Sequence, residues 1–213
     1  MKLQELTLRQ FLEKTAANQA APGGGGCAAL NAAMGAALTE MVANLTIGRK
    51  KYAGVDERMR EIAAMMSAQR NRFLEDVDRD AEAYRLVMEA YQLPKERKEE
   101  KQLRDHLIQE TMKKATAVQM EIAERAFALL QPMQETLMKG NPHAVSDGEV
   151  GLMNCRTAIL SALSNVRVNL GVIRDELFVA EMTTKCERME KSTREIDLLR
   201  MGGAAHRHPT ADL

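Results

Sequence analysis

Tryptophan is absent from this 213-residue chain, and tyrosine and phenylalanine number only three and four, so any core must be filled mainly by aliphatic side chains. Strand signatures are also missing: there is no sustained apolar–polar alternation and there are few β-branched clusters, which points to an all-α protein. Neither sign of charge is in excess, with 30 Lys plus Arg against 30 Asp plus Glu. Without a basic footprint, nucleic-acid binding is not expected. Cysteine is scarce: Cys27, Cys155 and Cys186 are odd in number, widely spaced and without metal-ligand spacing. They argue for reduced thiols in a cytoplasmic protein rather than a disulfide framework. The opening Met-Lys-Leu-Gln-Glu-Leu has no apolar signal region. Residues 27–47 have the length of a membrane span, but Asn31, Glu40 and Asn44 interrupt them, so a buried helix with no membrane partner is the expectation.

What is present is helical periodicity, punctuated by five prolines. Thr7 with Gln10 predicts a capping box for a first helix, with Leu6 and Phe11 as its hydrophobic staple. A second helix is expected over Cys27–Ile47, and a third from Asp56, as its cap, to about Tyr91. Leu93-Pro94-Lys95 breaks that one, and a fourth runs from about Glu96 to Leu130, where Pro132 interrupts it. After the turn Gly140–Asp147, Ser146 with Glu149 predicts another capping box and a last long helix reaching about Arg200, either continuous or with a break. Gly202 and Gly203 end it, so residues 1–203 read as one helical domain and 204–213 as a disordered tail. Long helices joined by short turns predict an antiparallel bundle. Fifteen methionines give it an adaptable core that dimerisation would help to fix, with a two-fold homodimer as the default.

The most informative stretch is Pro22 to Gly54. Four consecutive glycines, Gly23 to Gly26, lead into an alanine-rich helix. Such a run suits close approach of a ligand to the main chain, or of a neighbouring helix, or simply a linker. It is not a nucleotide P-loop, because Cys27 and Ala28 stand where Lys and Ser or Thr would be needed. Glu40 and Asn44 share a helix face, and a carboxylate on an apolar helix needs a partner. Arg49, Lys50 and Lys51 either bind an anionic substrate tail or simply offset a helix dipole.

Further on, Ser161, Asn165 and Asn169 recur every four residues on a helix that is otherwise apolar. Their amides either read the edges of a heterocycle in a pocket, the reading favoured here with Arg167 and Arg174 nearby, or bond between helices at a dimer contact. Asp147 is either a helix N-cap or a carboxylate suited to proton transfer at a mobile turn, with His143 as a second candidate. No Ser-His-Asp or Cys-His arrangement is legible.

Several of these stretches together carry a family resemblance. Pro22-Gly23-Gly24-Gly25, Met41 to Gly48 and Lys50-Lys51-Tyr52 resemble the opening of the formiminotransferase-cyclodeaminase C-terminal domain family. Asp80-Ala81 with Tyr84 and Val87-Met88 is similar to its third helix, and Leu93-Pro94-Lys95 to the break after it. Gly140-Asn141 with Ser146-Asp147 resembles its second turn, and Asn165-Val166 with Asn169-Leu170 its last core helix. The likeness spans about residues 5–180. Cys27 after a fourth glycine, and Pro142-His143 in the turn, depart from the pattern.

The resemblance implies an all-helical dimer acting on a tetrahydrofolate derivative, with no metal and no permanently bound cofactor. A free-standing 5-formimidoyltetrahydrofolate cyclodeaminase, releasing ammonia and forming 5,10-methenyltetrahydrofolate, is the first expectation, and methenyltetrahydrofolate cyclohydrolase the second. A non-catalytic helical scaffold is a third, of another class. On the enzyme readings, Gly23, Gly24 and Gly25 would lie against the ligand, with Asn44, Asn141 and Ser146 beside it. Asn165 and Asn169 would read the pterin, Lys50 and Lys51 would meet the glutamate tail, and Asp147 or His143 would move protons. With so few aromatics, the ring is expected between aliphatic groups and backbone.

Overall fold

The computed structural model describes residues 2–203, with side chains as far as Arg194. The expected tail from Ala204 lies outside the described residues. All regular structure among them is helical: α1 Leu8–Ala16, α2 Gly24–Thr46, α3 Asp56–Gln92, α4 Lys98–Lys139, α5 Val145–Leu170 and α6 Glu176–Gly203, with short 3-10 turns before α1, α3 and α5. Helices α2, α3, α4 and α5 pack as an up-down-up-down four-helix bundle, each against its neighbours in that cyclic order. Helix α6 lies on α5 and α4.

Local chemistry accounts for most boundaries. Thr7 caps α1 through the expected reciprocal pair with Gln10, and Phe11 is buried beneath it. Helix α2 begins inside the glycine run rather than at Cys27: Gly23 is its N-cap and Gly24–Gly26 form its first turn. Glycine at the entrance costs conformational entropy, but Pro22 ahead of it and Ala28, Ala29, Ala32 and Ala33 behind it are buried, so tertiary packing sets the start. Helix α4 passes through Pro132 instead of breaking there. Pro132 is buried between Leu130 and Met133, and that packing outweighs the roughly 3 kcal/mol that an interior proline costs.

The capping box expected at Ser146 does not form. The N-cap of α5 is Ala144, while Ser146 and Asp147 sit within the first turn. The last long helix has the break that its sequence left open. It breaks after Leu170, where the Gln109 side chain donates to the Val172 carbonyl and accepts from the Arg174 N–H, and Asp175 caps α6.

The core is aliphatic and methionine-rich, with Met59, Met66, Met133, Ile122, Ile159 and Leu163 fully buried around Phe73. Helix α2 is long and apolar enough to cross a membrane by length and composition, yet more than half of its most apolar stretch is buried against other helices. At its midpoint it meets α5 backbone to backbone: a Cβ on Gly35 would lie 2.8 Å from the Gly151 carbonyl oxygen. Glu40, the carboxylate on this apolar helix, finds its partner in Arg70 of α3 at 3.0 Å.

Lengths position the site. Helix α2 has 23 residues, while α3 has 37 and α4 has 42. At about 1.5 Å per residue, the α3–α4 hairpin therefore projects well past the glycine end of α2, and that overhang forms one wall of a cavity.

Candidate active site

The cavity has a volume of about 330 Å³ and lies at the bundle end where all four core helices meet. The α2 start contributes Gly23, Gly24 and Gly25, α3 contributes Asp80, Tyr84 and Tyr91, α4 contributes Gln119, and α5 contributes Asn165 and Asn169. Asp80, Tyr84, Val87, Met88 and Tyr91 share one face of α3 at helical spacing, whereas Val77, Ala83 and Ala90 face the core. Asp80 is held by two donors: the Gln119 side-chain amide and the Gly26 backbone N–H in the first turn of α2. Burial pushes its carboxyl above the usual range; the two hydrogen bonds oppose that rise without cancelling it. No cation among the described residues is paired with it. Asp76, one turn back on α3, instead takes Arg79 and Arg125.

The glycines are required here for space. A Cβ on Gly25 would come within 2.3 Å of both Asp80 Oδ1 and Gln119 Nε2, so no other residue fits without displacing that pair. A Cβ on Gly24 would lie 3.5 Å from the Asn165 amide, an ordinary contact. Asn165 donates to the Ser161 carbonyl of its own helix at 2.9 Å, so its amide is tethered locally beside the cavity instead of bonding across to another helix. Arg167 pairs with Glu190 of α6, and Arg174 points toward Asp105; neither lines the cavity.

The remaining predicted site residues gather at the other end of α2. Asn44 is exposed in its last turns, and exposed Lys50 and Lys51 follow in the 3-10 turn. Asn141 is buried and committed to structure. Its N–H donates to Thr46 Oγ1 at 2.9 Å, its side-chain amide donates to the Leu45 carbonyl at 3.3 Å, and its side-chain oxygen accepts from the His143 N–H at 3.1 Å. His143 and Ser146 are exposed, and Asp147 is half-buried in the first turn of α5. Twenty residues of helix between Gly24 and Asn44 amount to roughly 30 Å. Within one chain the expected site residues thus form two groups at opposite ends of a helix rather than a single pocket.

Asp80, Gln119 and Tyr91 were not among the expected site residues. For Asp80 the signal was available, since a carboxylate occurs on the same helical face as Tyr84 and Tyr91. Gln119 carries no such signal, because an amide in a long helix is ordinary until its neighbours are known. Two of the three tyrosines, Tyr84 and Tyr91, line the cavity beside its aliphatic groups.

An all-helical bundle with a cavity at one end, where a largely buried carboxyl faces a helix N-terminus, has the form of a small-molecule site. The sequence model of the family described as formiminotransferase-cyclodeaminase matches residues 7–188, and the chain belongs to that family. It is 36% identical over 181 residues to the methenyltetrahydrofolate cyclohydrolase of Methylorubrum extorquens, covering 85% of this chain and 87% of that protein. It is also 36% identical over 176 residues to the formimidoyltransferase-cyclodeaminase of Mus musculus, covering 83% of this chain but only 32% of that longer protein. The crystal structure of formiminotetrahydrofolate cyclodeaminase from Thermotoga maritima superposes with a TM-score of 0.81 at 28% identity, covering 91% of this chain and 93% of that one.

Proposed function

We propose that the chain is a 5-formimidoyltetrahydrofolate cyclodeaminase whose proton-transfer group is Asp80. The observation that carries this reading is the Asp80 carboxyl at the cavity floor, held by the Gln119 amide and the Gly26 N–H with no cation paired to it among the described residues, and pushed by burial above its usual range. N10 of the substrate bonds to the formimidoyl carbon, the electron pair of the C=N bond moves to nitrogen, and the acid form of Asp80 protonates that nitrogen. The N10 proton then passes to the Asp80 carboxylate, which delivers it to the amino group. The C–N bond breaks, ammonia leaves with the electron pair, and the 5,10-methenyl cation remains; one proton from solvent restores Asp80. The cavity contributes proximity by holding N10 against the carbon. Tyr84 and Tyr91 offer aromatic faces to the flat rings, and Asn165 and Asn169 offer amides to the heterocycle edge.

A second reading, methenyltetrahydrofolate cyclohydrolase, is favoured by the 36% identity along nearly the whole of a cyclohydrolase. There Asp80 takes the proton of the water that attacks the methenyl carbon and passes it to N5; the N5–carbon bond breaks with its electron pair on N5, the new hydroxyl gives its proton to solvent, and 10-formyltetrahydrofolate remains. One assay separates the two. Purified protein is mixed with 5-formimidoyltetrahydrofolate or with 5,10-methenyltetrahydrofolate while methenyl absorbance is followed. A gain in the first supports the deaminase and a loss in the second the hydrolase; no change in either sinks both and returns the chain to the scaffold class.

The same reading includes a two-fold homodimer. Met34, Met41 and Leu45 form an exposed apolar stripe on α2, beside exposed Val150 and Met153 on α5. Covering it with a second copy, α2 against α2 in antiparallel sense, would bring Lys50 and Lys51 of one copy toward the glycine end of the other, where they could meet a folate glutamate tail. Light scattering should then report a dimer that Met41→Glu converts to monomer; a monomeric parent at micromolar concentration would refute this.

A further inference from the structure

Gln119 is 2% exposed and donates through Nε2 to Asp80 Oδ1, while its own Oε1 is buried and has no partner among the described residues. A sealed acceptor without a donor costs about 1–3 kcal/mol, so its orientation calls for a reason. Reversing the amide would set Oε1 against an ionised carboxylate, acceptor facing acceptor. The Asp80 charge therefore fixes the amide with its NH2 group inward. When Asp80 carries a proton the constraint inverts: the carboxyl O–H becomes a donor and Oε1 its natural acceptor. The Gly25 backbone lies close against both side chains, since a Cβ there would fall 2.3 Å from Asp80 Oδ1 and from Gln119 Nε2.

We propose that Gln119 is the positioning residue for Asp80, holding the carboxyl in one place through both of its protonation states, as donor to the anion and, with its amide reversed, as acceptor from the acid. This rests on the assignment of Asp80 as the proton-transfer group. An amide is the side chain suited to the task, because it carries a donor and an acceptor at one position. A cation would hold the anion alone, and an aliphatic group would hold neither form.

The groups facing Asp80 are few. On α2 these are the Gly26 N–H and the Cys27 thiol, which burial and the Asp80 charge push upward. On α3 Asp76 is neutralised by Arg79 and Arg125, and the Tyr84 and Tyr91 phenols line the same cavity. From α4 comes Gln119, and from α5 only the uncharged Asn165 and Asn169 share the cavity. A pH shift in a Gln119 variant therefore reports on the Asp80–Gln119 bond.

The test compares Gln119→Met, which removes donor and acceptor at similar volume, with Gln119→Lys, which keeps a donor alone. The 13C carboxyl resonance of Asp80, assigned by its loss in Asp80→Asn, is titrated in each, together with the pH profile of turnover. The Asp80 midpoint should move to higher pH in the methionine variant and to lower pH in the lysine variant. Turnover at the parent optimum should fall roughly tenfold or more in both, with KM within about threefold. Circular dichroism confirms the fold. An unchanged Asp80 midpoint in a folded Gln119→Met protein overturns the proposal. Because the titration needs no substrate, it stands apart from the enzyme reading: an inactive parent with the expected midpoints defeats the reaction assigned to the site but leaves the pairing intact.

Discussion

The two ends of α2 draw on similar residue types and arrive at opposite characters. At the Asn141 end the polar groups saturate one another: Thr46 Oγ1 donates to the Val42 carbonyl and accepts from the Asn141 N–H, while the Gly48 N–H donates to Asp56 at 2.6 Å. At the glycine end, among the described residues, a carboxylate lies buried with no cation and an amide oxygen has no partner. A folded chain satisfies its buried polar groups wherever it can. The saturated corner is a structural joint, and the under-satisfied one is where a ligand has something to contribute.

The contrast breaks or sharpens most clearly through its carboxylates. Asp80→Asn is expected to lower turnover by about 10²–10⁴-fold, with tetrahydrofolate binding measured by calorimetry largely kept, while Asp147→Asn stays within about twofold. The reverse ranking would move the chemistry to the Asn141 end. Next in size is the glycine pair. Gly25→Ala should destabilise by about 1–3 kcal/mol through overpacking and reduce turnover as well, because its Cβ meets Asp80 and Gln119. Gly24→Ala, with only an ordinary contact to Asn165, should change the denaturation midpoint little.

At the other end, Asn141→Ala should cost about 1–3 kcal/mol by leaving buried donors and acceptors unpaired, read as a lower urea midpoint with kcat unaltered. A smaller effect concerns pH. The folded-state Asp80 carboxyl sits above its ordinary value, so its favourable contribution to stability is present below the ordinary carboxylate range and is lost as pH rises through the raised value. Asp80→Asn should therefore melt higher than the parent at neutral pH, and the gap should close on acidification. A gap that widens toward acid would contradict the burial argument. Smallest of all, Lys50→Ala and Lys51→Ala should each shift stability by less than about 0.5 kcal/mol, as exposed substitutions do.

Much of the fold was legible in the sequence because capping and breaks are local. Thr7 with Gln10, and Leu93-Pro94, act within a turn or two of themselves. The features that differ from expectation depend on partners distant in sequence. Pro132 stays helical because of what buries it, and the glycines enter α2 because Asp80 and Gln119 need their bare backbone. The site divided along the same line. The Gly23–Gly25 run and the Asn165/Asn169 row were visible and line the cavity, since a glycine run and a polar row in an apolar helix are conflicts in the local code. Asn141 and Asp147 stand out for a similar reason, but a polar residue at a turn is marked equally by structural and by chemical use. Gln119 became visible only when it met Asp80, 39 residues away in sequence, across two helices.

The contact between Gly35 and the Gly151 carbonyl gives the bundle a fulcrum. No side chain separates the two helices there, so a tilt of α5 against α2 turns about that point. Measured along α5, Val145 lies about 9 Å to one side and Asn165 about 21 Å to the other. The arms are unequal, so a rigid tilt of α5 about that contact, introduced at the Asn141 turn, would reach the cavity wall reversed in direction and roughly doubled.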